Sequence, residues 1–198
     1  MKRIFSIGHS NHEIEHFVHL LTMHGVSAIA DVRSSPYSEY SPQFNREILQ
    51  SRLQSLHIEY AFLGRELGAR RTEETCYVSG QARYDAIRRL PAFRQGLDRI
   101  LEGVEQYTLA LLCAEADPLA CHRTILICPE LKAVCPGLQI DHILGDGRLE
   151  SHEQAEQRLV KLHKLQPELF GELTSGPGLV QRAYHIQAER IAYRRVPA

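Results

Sequence analysis

Short apolar runs alternate along this chain with stretches of helical periodicity. That alternation restricts it to a sheet whose strands are joined by crossover helices. Five runs can be counted: Arg3 to Ile7, Val26 to Val32, Glu59 to Phe62, Thr108 to Cys113 and Leu138 to Ile143. Helical patterns lie between them, over Glu13 to Met23, Arg46 to Leu56, Arg83 to Glu102 with a break at Pro91, and Thr124 to Val134. The first helix carries Ile14, Phe17, Val18, Leu20 and Leu21 at helical spacing, with Asn11 as its expected cap and Gly25 as its stop. The expected fold is therefore α/β: a single Rossmann-like domain with a mainly parallel five-stranded sheet and helices on both faces. Beyond Ser151 the pattern becomes purely helical, broken at Pro167 and at the Ser-Gly-Pro-Gly run from Ser175 to Gly178. This divides the chain into an α/β domain over 1–150 and a helical C-terminal extension over 151–198 packed on it.

A chain of 198 residues can bury a substantial core within one domain. Its apolar share of 43% and charged share of 24% are ordinary for a globular protein and exclude a disordered or fibrous class. The formal net charge of −1 rules out a surface-wide positive field, so nucleic acid is a disfavoured partner and any contact with it would be local. Five cysteines without regular spacing, and no secretory signal, argue for a reducing compartment. No segment approaches the ~20 apolar residues that span a bilayer, so the expected location is cytoplasmic, away from membranes. The oligomeric state is left open.

Ligands of an open parallel sheet bind in the crevice outside the carboxyl ends of its strands. The residues following each run are thus the candidates: Gly8, His9 and Ser10 after the first, Asp31, Arg33, Ser34 and Ser35 after the second, Gly64, Arg65 and Glu66 after the third, and Cys113, Glu115 and Asp117 after the fourth. The fifth contains Asp141 and His142. Any one polar loop residue is unremarkable; reactive groups at five strand ends are expected to share one edge.

The segment Leu111-Leu112-Cys113-Ala114-Glu115-Ala116-Asp117-Pro118-Leu119-Ala120-Cys121-His122-Arg123 is the most specific. An apolar strand ends in a thiol, a turn follows at Pro118, and a second thiol with His122 and Arg123 opens the next helix. A cysteine at a helix start beside cations has a depressed pKa, which makes Cys121 a candidate nucleophile, with simple burial as the competing reading. Cys113, Cys121, His122, His9 and His142 could also meet as soft metal ligands. Neither a Cys-x-x-Cys nor a His-x-x-x-His element is read as a ligand pair, however, so a metal is not favoured, no metal ligand is assigned and the cofactor is left unknown. Arg33, Arg65, Arg70, Arg71 and Arg123 all fall in loops or at a helix start, where guanidinium groups suit phosphate or carboxylate. The absence of a Gly-x-Gly-x-x-Gly or Walker-type loop disfavours a standard dinucleotide or triphosphate cradle.

Ser6-Ile7-Gly8-His9-Ser10, Asp31-Val32-Arg33 with Pro36 and Ser38, Leu67-Gly68, and Leu111-Leu112-Cys113-Ala114-Glu115 with Cys121-His122-Arg123 together resemble the domain of unknown function 488 family over about residues 3 to 150. The resemblance implies the fold and a site at His9, Ser10, Asp31, Arg33, Cys113, Glu115, Cys121, His122 and Arg123; it implies no particular reaction. Ala69 stands where the family often has a second glycine.

The leading expectation is an enzyme, a thiol-dependent transferase or hydrolase, acting on a small anionic or nucleotide-like substrate. Cys121 or Cys113 would act as thiolate and His9 or His122 would move protons, with Glu115 among the catalytic groups. Asp31 would orient a histidine or hold a ligand hydroxyl. Ser10, Arg33, Arg65, Arg70, Arg71 and Arg123 would bind the substrate. The alternatives are a nucleotide or nucleic-acid binding module without catalysis, or a metal-binding protein using the same cysteines and histidines.

Overall fold

The first apolar run forms strand β1 (Arg3–Gly8) in the computed structural model, which describes residues 2–167 and 176–195. It is followed by α1 (Ile14–Met23), β2 (Ala28–Asp31), a 3-10 turn at Pro42–Phe44, α2 (Arg46–Gln54), β3 (Glu59–Phe62) and the single turn α3 (Gly64–Leu67). A small hairpin, β4 (Tyr77–Val78) and β5 (Gln81–Ala82), precedes α4 (Tyr84–Ile87), α5 (Pro91–Gln106) and β6 (Leu109–Cys113). The chain then passes through a 3-10 turn at Pro118–Ala120, a π-helical turn at Arg123–Ile127, α6 (Cys128–Val134), β7 (Gln139–Ile143), β8 (Leu149–Ser151), α7 (His152–Leu162) and α8 (Gly176–Ile191).

The main sheet has the order β3-β2-β6-β1-β7-β8. Its first five strands pair in parallel, and β8 returns antiparallel on β7. All five expected strands are present. The sixth leaves no strand signal in the sequence because it is three residues long and follows β7 through a tight turn in which Gly147 has φ +84°.

The period-two pattern of the strands sorts the core into two layers. Ile4, Ala28, Ala30, Leu109 and Leu111 pack on one face with α3, α5 and α6, and share that cluster with Ala155, Leu159 and Ala183 of the C-terminal helices. Phe5, Ile7, Ile29, Ala110 and Leu112 pack on the other with Phe17, Leu20 and Leu21 of α1 and Leu49 and Leu53 of α2.

Local chemistry explains several boundaries. Gly25 follows α1 at φ +65°, the left-handed stop expected of it. Asn11 does not cap that helix: the N-cap is Glu13, without a side-chain cap bond, and the Asn11 amide oxygen accepts from the Ser10 hydroxyl. The helix expected over Thr124 to Val134 is divided, because Pro129 lacks an N–H and disturbs the ladder of the preceding turn, which opens into the π form at Arg123–Ile127. The Gly-Pro-Gly of the expected break is already inside α8, whose first turn tolerates proline. Ser175 and the segment before it lie outside the described residues.

A chain of buried hydrogen bonds crosses the sheet toward these C-terminal helices. The His142 Nδ1 lies 2.7 Å from the Ser6 hydroxyl, its Nε2 lies 3.2 Å from His152 Nδ1, and His152 Nε2 lies 3.0 Å from the Tyr184 hydroxyl. Tyr184 in turn donates to Glu156 at 2.9 Å. Burial holds His152 neutral, with its pKa at about 4, and pushes His142 down as well. An unfolded histidine titrates near 6.5, so between about 4 and 6.5 the unfolded chain binds more protons than the native one. Stability is therefore full above about pH 7 and falls on acidification through that window. His152 alone is expected to remove up to about 2 kcal/mol by pH 5. Urea midpoints measured from pH 7 down to pH 5 check this, and a constant midpoint over that range would contradict it.

Candidate functional site

Adjacent in the sheet, β1 and β6 send the chain to opposite faces: β1 leads to α1 on one side, and β6 to the π turn and α6 on the other. Such a divergence opens a crevice at the carboxyl ends of the two strands. Gly8 allows their ends to close up, since a Cβ there would overlap the Glu115 carbonyl. At Gly68 a Cβ would likewise collide with the Gly64 carbonyl and Ser34.

A pocket of about 360 Å³ fills this crevice. His9 enters from the end of β1, Arg33, Ser34 and Ser35 from β2, and Cys113 and Glu115 from β6. His122 forms the wall beyond Ala120. Tyr84 of α4 and Tyr193, just after α8, close the far side, while Tyr37, Ser38 and Arg70 complete the rim.

Two of these lining residues, Cys113 and His122, form a tight cluster with Cys121 in the layer behind. The Sγ atoms of Cys113 and Cys121 lie 3.6 and 3.9 Å from His122 Nδ1. Ligand atoms of the three residues all fall within 4.8 Å of one another. The other ring nitrogen, Nε2, lies 3.1 Å from the Val32 carbonyl. A carbonyl only accepts, so Nε2 carries hydrogen and Nδ1 is the atom turned to both sulfurs. The Arg123 backbone N–H donates to Cys121 Sγ at 3.4 Å. Its guanidinium, wholly buried, donates to the Ser6 hydroxyl at 3.3 Å and to the carbonyls of Glu115 and Ala116 at 2.8 and 3.4 Å.

Electrostatics divide the two thiols. For Cys121, burial opposes ionisation, yet the hydrogen bond from Cys113 and the charges of Arg123 and His122 outweigh it and hold the thiol well below its usual range. Cys113 is driven the other way by its bond to Cys121 and by burial. The two thiols are thus coupled, with Cys121 the one that ionises first. Burial would lower His122, but the adjacent Cys121 raises it; burial and the Cys121 charge push Glu115 up. His9 is brought down to about 4 by burial and by Arg33, so it is neutral at physiological pH. Its Nδ1 donates to the Ser10 carbonyl at 2.7 Å and its ring stacks on Phe44 at 4.4 Å between centroids.

Asp31 is fully buried behind Arg33. It accepts from Arg33 Nε at 2.9 Å and Nη2 at 2.6 Å, and from the Tyr60 hydroxyl at 2.7 Å. Of the residues expected at the site, His9, Arg33, Arg70, Cys113, Glu115 and His122 line the pocket, whereas Cys121, Arg123 and Asp31 lie one layer behind. Ser10 takes a left-handed backbone at φ 50° and bonds Asn11. Arg65 is exposed and lines no wall of this pocket. Arg71 is spent on Glu73, at 2.7 and 3.1 Å, and on the carbonyls of Arg65 and Glu66. Three strand ends therefore meet here, not five: Asp141 turns to Arg3 and Gln139, and His142 to Ser6 and His152. A His-x-x-x-His pair exists at His12 and His16, with centroids 4.8 Å apart, but His16 is bonded to the Gly145 carbonyl. Tyr84 and Tyr193 carried no local signal, since each reaches the pocket only through helices packed on the sheet.

Fold and crevice define a doubly wound α/β protein with a polar, thiol-bearing pocket at its strand ends. Within that class, residues 13–128 match the family model described as Domain of unknown function DUF488. The match spans more than half the chain, which therefore belongs to this family. It is narrower than the sequence motifs, leaving Ser6–Ser10 and β7 outside. No curated protein and no solved structure matches the chain. No described helix is long and apolar enough to cross a membrane.

Proposed function

We propose that this chain is an enzyme acting on a small anionic or nucleotide-like substrate bound in the pocket between β1, β2 and β6. The observation that carries the reading is the meeting, around about 360 Å³, of neutral imidazole at His9, thiol at Cys113, carboxyl at Glu115 and guanidinium at Arg33 and Arg70. A purely structural crevice has no need of so many reactive groups. Arg33 uses Nε and Nη2 on Asp31, so its Nη1 edge and Arg70 are the donors for an anion, assisted by the hydroxyls of Ser34, Ser35 and Ser38. Arg70 is steadied by its position over the Tyr193 ring, 5.0 Å from the centroid. Cys113 is the thiol on the pocket wall, with Cys121 behind it, and Glu115 and His122 are the groups within reach to exchange protons with a ligand there.

The test is a panel of phosphate esters and nucleoside monophosphates, scored for binding by calorimetry and for turnover by mass spectrometry. Arg70→Gln is expected to weaken the best anion at least about tenfold, or ~1.4 kcal/mol, by removing a charged fork at the rim. Glu115→Gln is expected to depress turnover more than binding. Binding with no turnover of any panel member would favour a binding module, and neither binding nor turnover would sink the reading.

A further inference from the structure

We propose that Cys113, Cys121 and His122 form a three-ligand site for a first-row divalent cation of the zinc class, with its fourth coordination position open to the pocket. Zinc bonds of about 2.3 Å to sulfur and about 2.0–2.1 Å to nitrogen, at tetrahedral angles, set each sulfur about 3.6 Å from the nitrogen. The corresponding separations here are 3.6 and 3.9 Å, and the ligand atoms of all three residues lie within 4.8 Å of one another, so small side-chain shifts admit an ion. Two thiolates and one imidazole are the soft and borderline donors that select zinc, iron or cobalt over magnesium or calcium.

The surroundings are those a metal site needs. The Val32 carbonyl holds hydrogen on His122 Nε2 and turns the Nδ1 lone pair to the sulfurs, as the outer partners of metal-bound histidines do. The Arg123 N–H bonds Cys121 Sγ, and its buried guanidinium offsets thiolate charge. The loop joining the two cysteines is fixed before any ion arrives: Asp117 accepts from the Leu119 N–H at 2.9 Å and is gripped by both terminal nitrogens of Arg158, at 3.1 and 2.8 Å.

The pocket lining gives the site its direction. Cys113 and His122 line the pocket, whereas Cys121 does not. The free vertex of the ion therefore faces the cavity, the arrangement of a catalytic and not a closed structural site. Glu115 stands on the same wall, placed to accept a proton from a water on that vertex. The weak signal in the sequence has a plain cause. Two of the ligands are neighbours and the third is brought by the end of β6, so no paired cysteine motif announces them.

Metal binding goes beyond the substrate reading and stands apart from it, because it is measured with the ion alone. Reduced protein stripped with chelator is titrated with Co²⁺, then with Zn²⁺. One equivalent of Co²⁺ is expected to give tetrahedral ligand-field bands with sulfur-to-metal charge transfer, displaced stoichiometrically by Zn²⁺. Cys121→Ser and His122→Asn are expected to weaken Co²⁺ by more than about 100-fold, while Cys135→Ser binds as the parent chain does. Should the first two variants fail to fold, mass-mapped alkylation of the parent chain answers instead: Zn²⁺ must protect Cys113 and Cys121 together and leave Cys135 unaffected. A folded, reduced protein showing no thiolate charge transfer, or Zn²⁺ that leaves the alkylation of both cysteines unchanged, overturns the site. Formation of a Cys113–Cys121 disulfide in place of metal uptake does the same.

Discussion

Arg123→Ala is expected to cost about 3–5 kcal/mol of unfolding free energy, roughly 10 °C in melting temperature for a chain of this size. The guanidinium is wholly buried and joins β1 to the loop after β6 through Ser6, Glu115 and Ala116. Truncation strands two carbonyls, leaves a cavity and removes the charge opposite Cys121, and each of these effects is destabilising by itself. Arg123→Lys separates charge from geometry. It restores the cation but cannot bridge a hydroxyl and two carbonyls at once, so its stability is expected between those of the alanine variant and the parent. Chemical unfolding with two probes measures the series. An alanine variant within about 1 kcal/mol of the parent would show that water replaces the guanidinium at no cost, and the clamp would lose its importance.

Asp31→Leu should be comparably damaging, by about 3–5 kcal/mol, because it leaves Arg33 charged and nearly buried without its partner. Tyr60 also loses its acceptor. The double variant Asp31→Leu with Arg33→Met removes both charges and keeps volume, and much of the loss is expected to return. The double-mutant cycle is the decisive measurement: additive single effects would mean that Asp31 supports the fold through Tyr60 and the backbone, not through Arg33. The double variant should also lose whatever anion affinity the pocket has, even where stability recovers, because the Arg33 Nη1 edge is gone. Recovery of stability with loss of binding would separate the structural from the ligand-facing use of one arginine.

The positions of these side chains mark where sequence reasoning stopped. The five parallel strands and their helices were legible because each depends on local pattern: continuous apolar runs, helical spacing, and glycine where φ must be positive, as at Gly25. The pairing of Cys113 with the Cys121-His122-Arg123 segment was legible because a strand end, a proline turn and a helix start follow within a few residues. Strand order was not, since nothing local records that β6 inserts between β2 and β1. That insertion makes β1, β2 and β6 the pocket's walls and leaves Arg65 and His142 outside it.

Sequence by itself determined the α/β class, the family motifs and the loops from which reactive groups would come. Only the tertiary structure decided what each group is used for. Arg71 is satisfied by Glu73 and nearby carbonyls, whereas Arg123 turns inward to the carbonyls of the loop after β6 and to the Ser6 hydroxyl of β1. Arg33, spent in part on Asp31, keeps one edge at the pocket. Each arginine has the same chemistry and the same preference for acceptors. The acceptors themselves lie close in the chain, apart from Ser6 for Arg123, but the burial that makes one acceptor worth reaching over water comes from strands and helices far apart in sequence, and it exists only once the strands have found their neighbours.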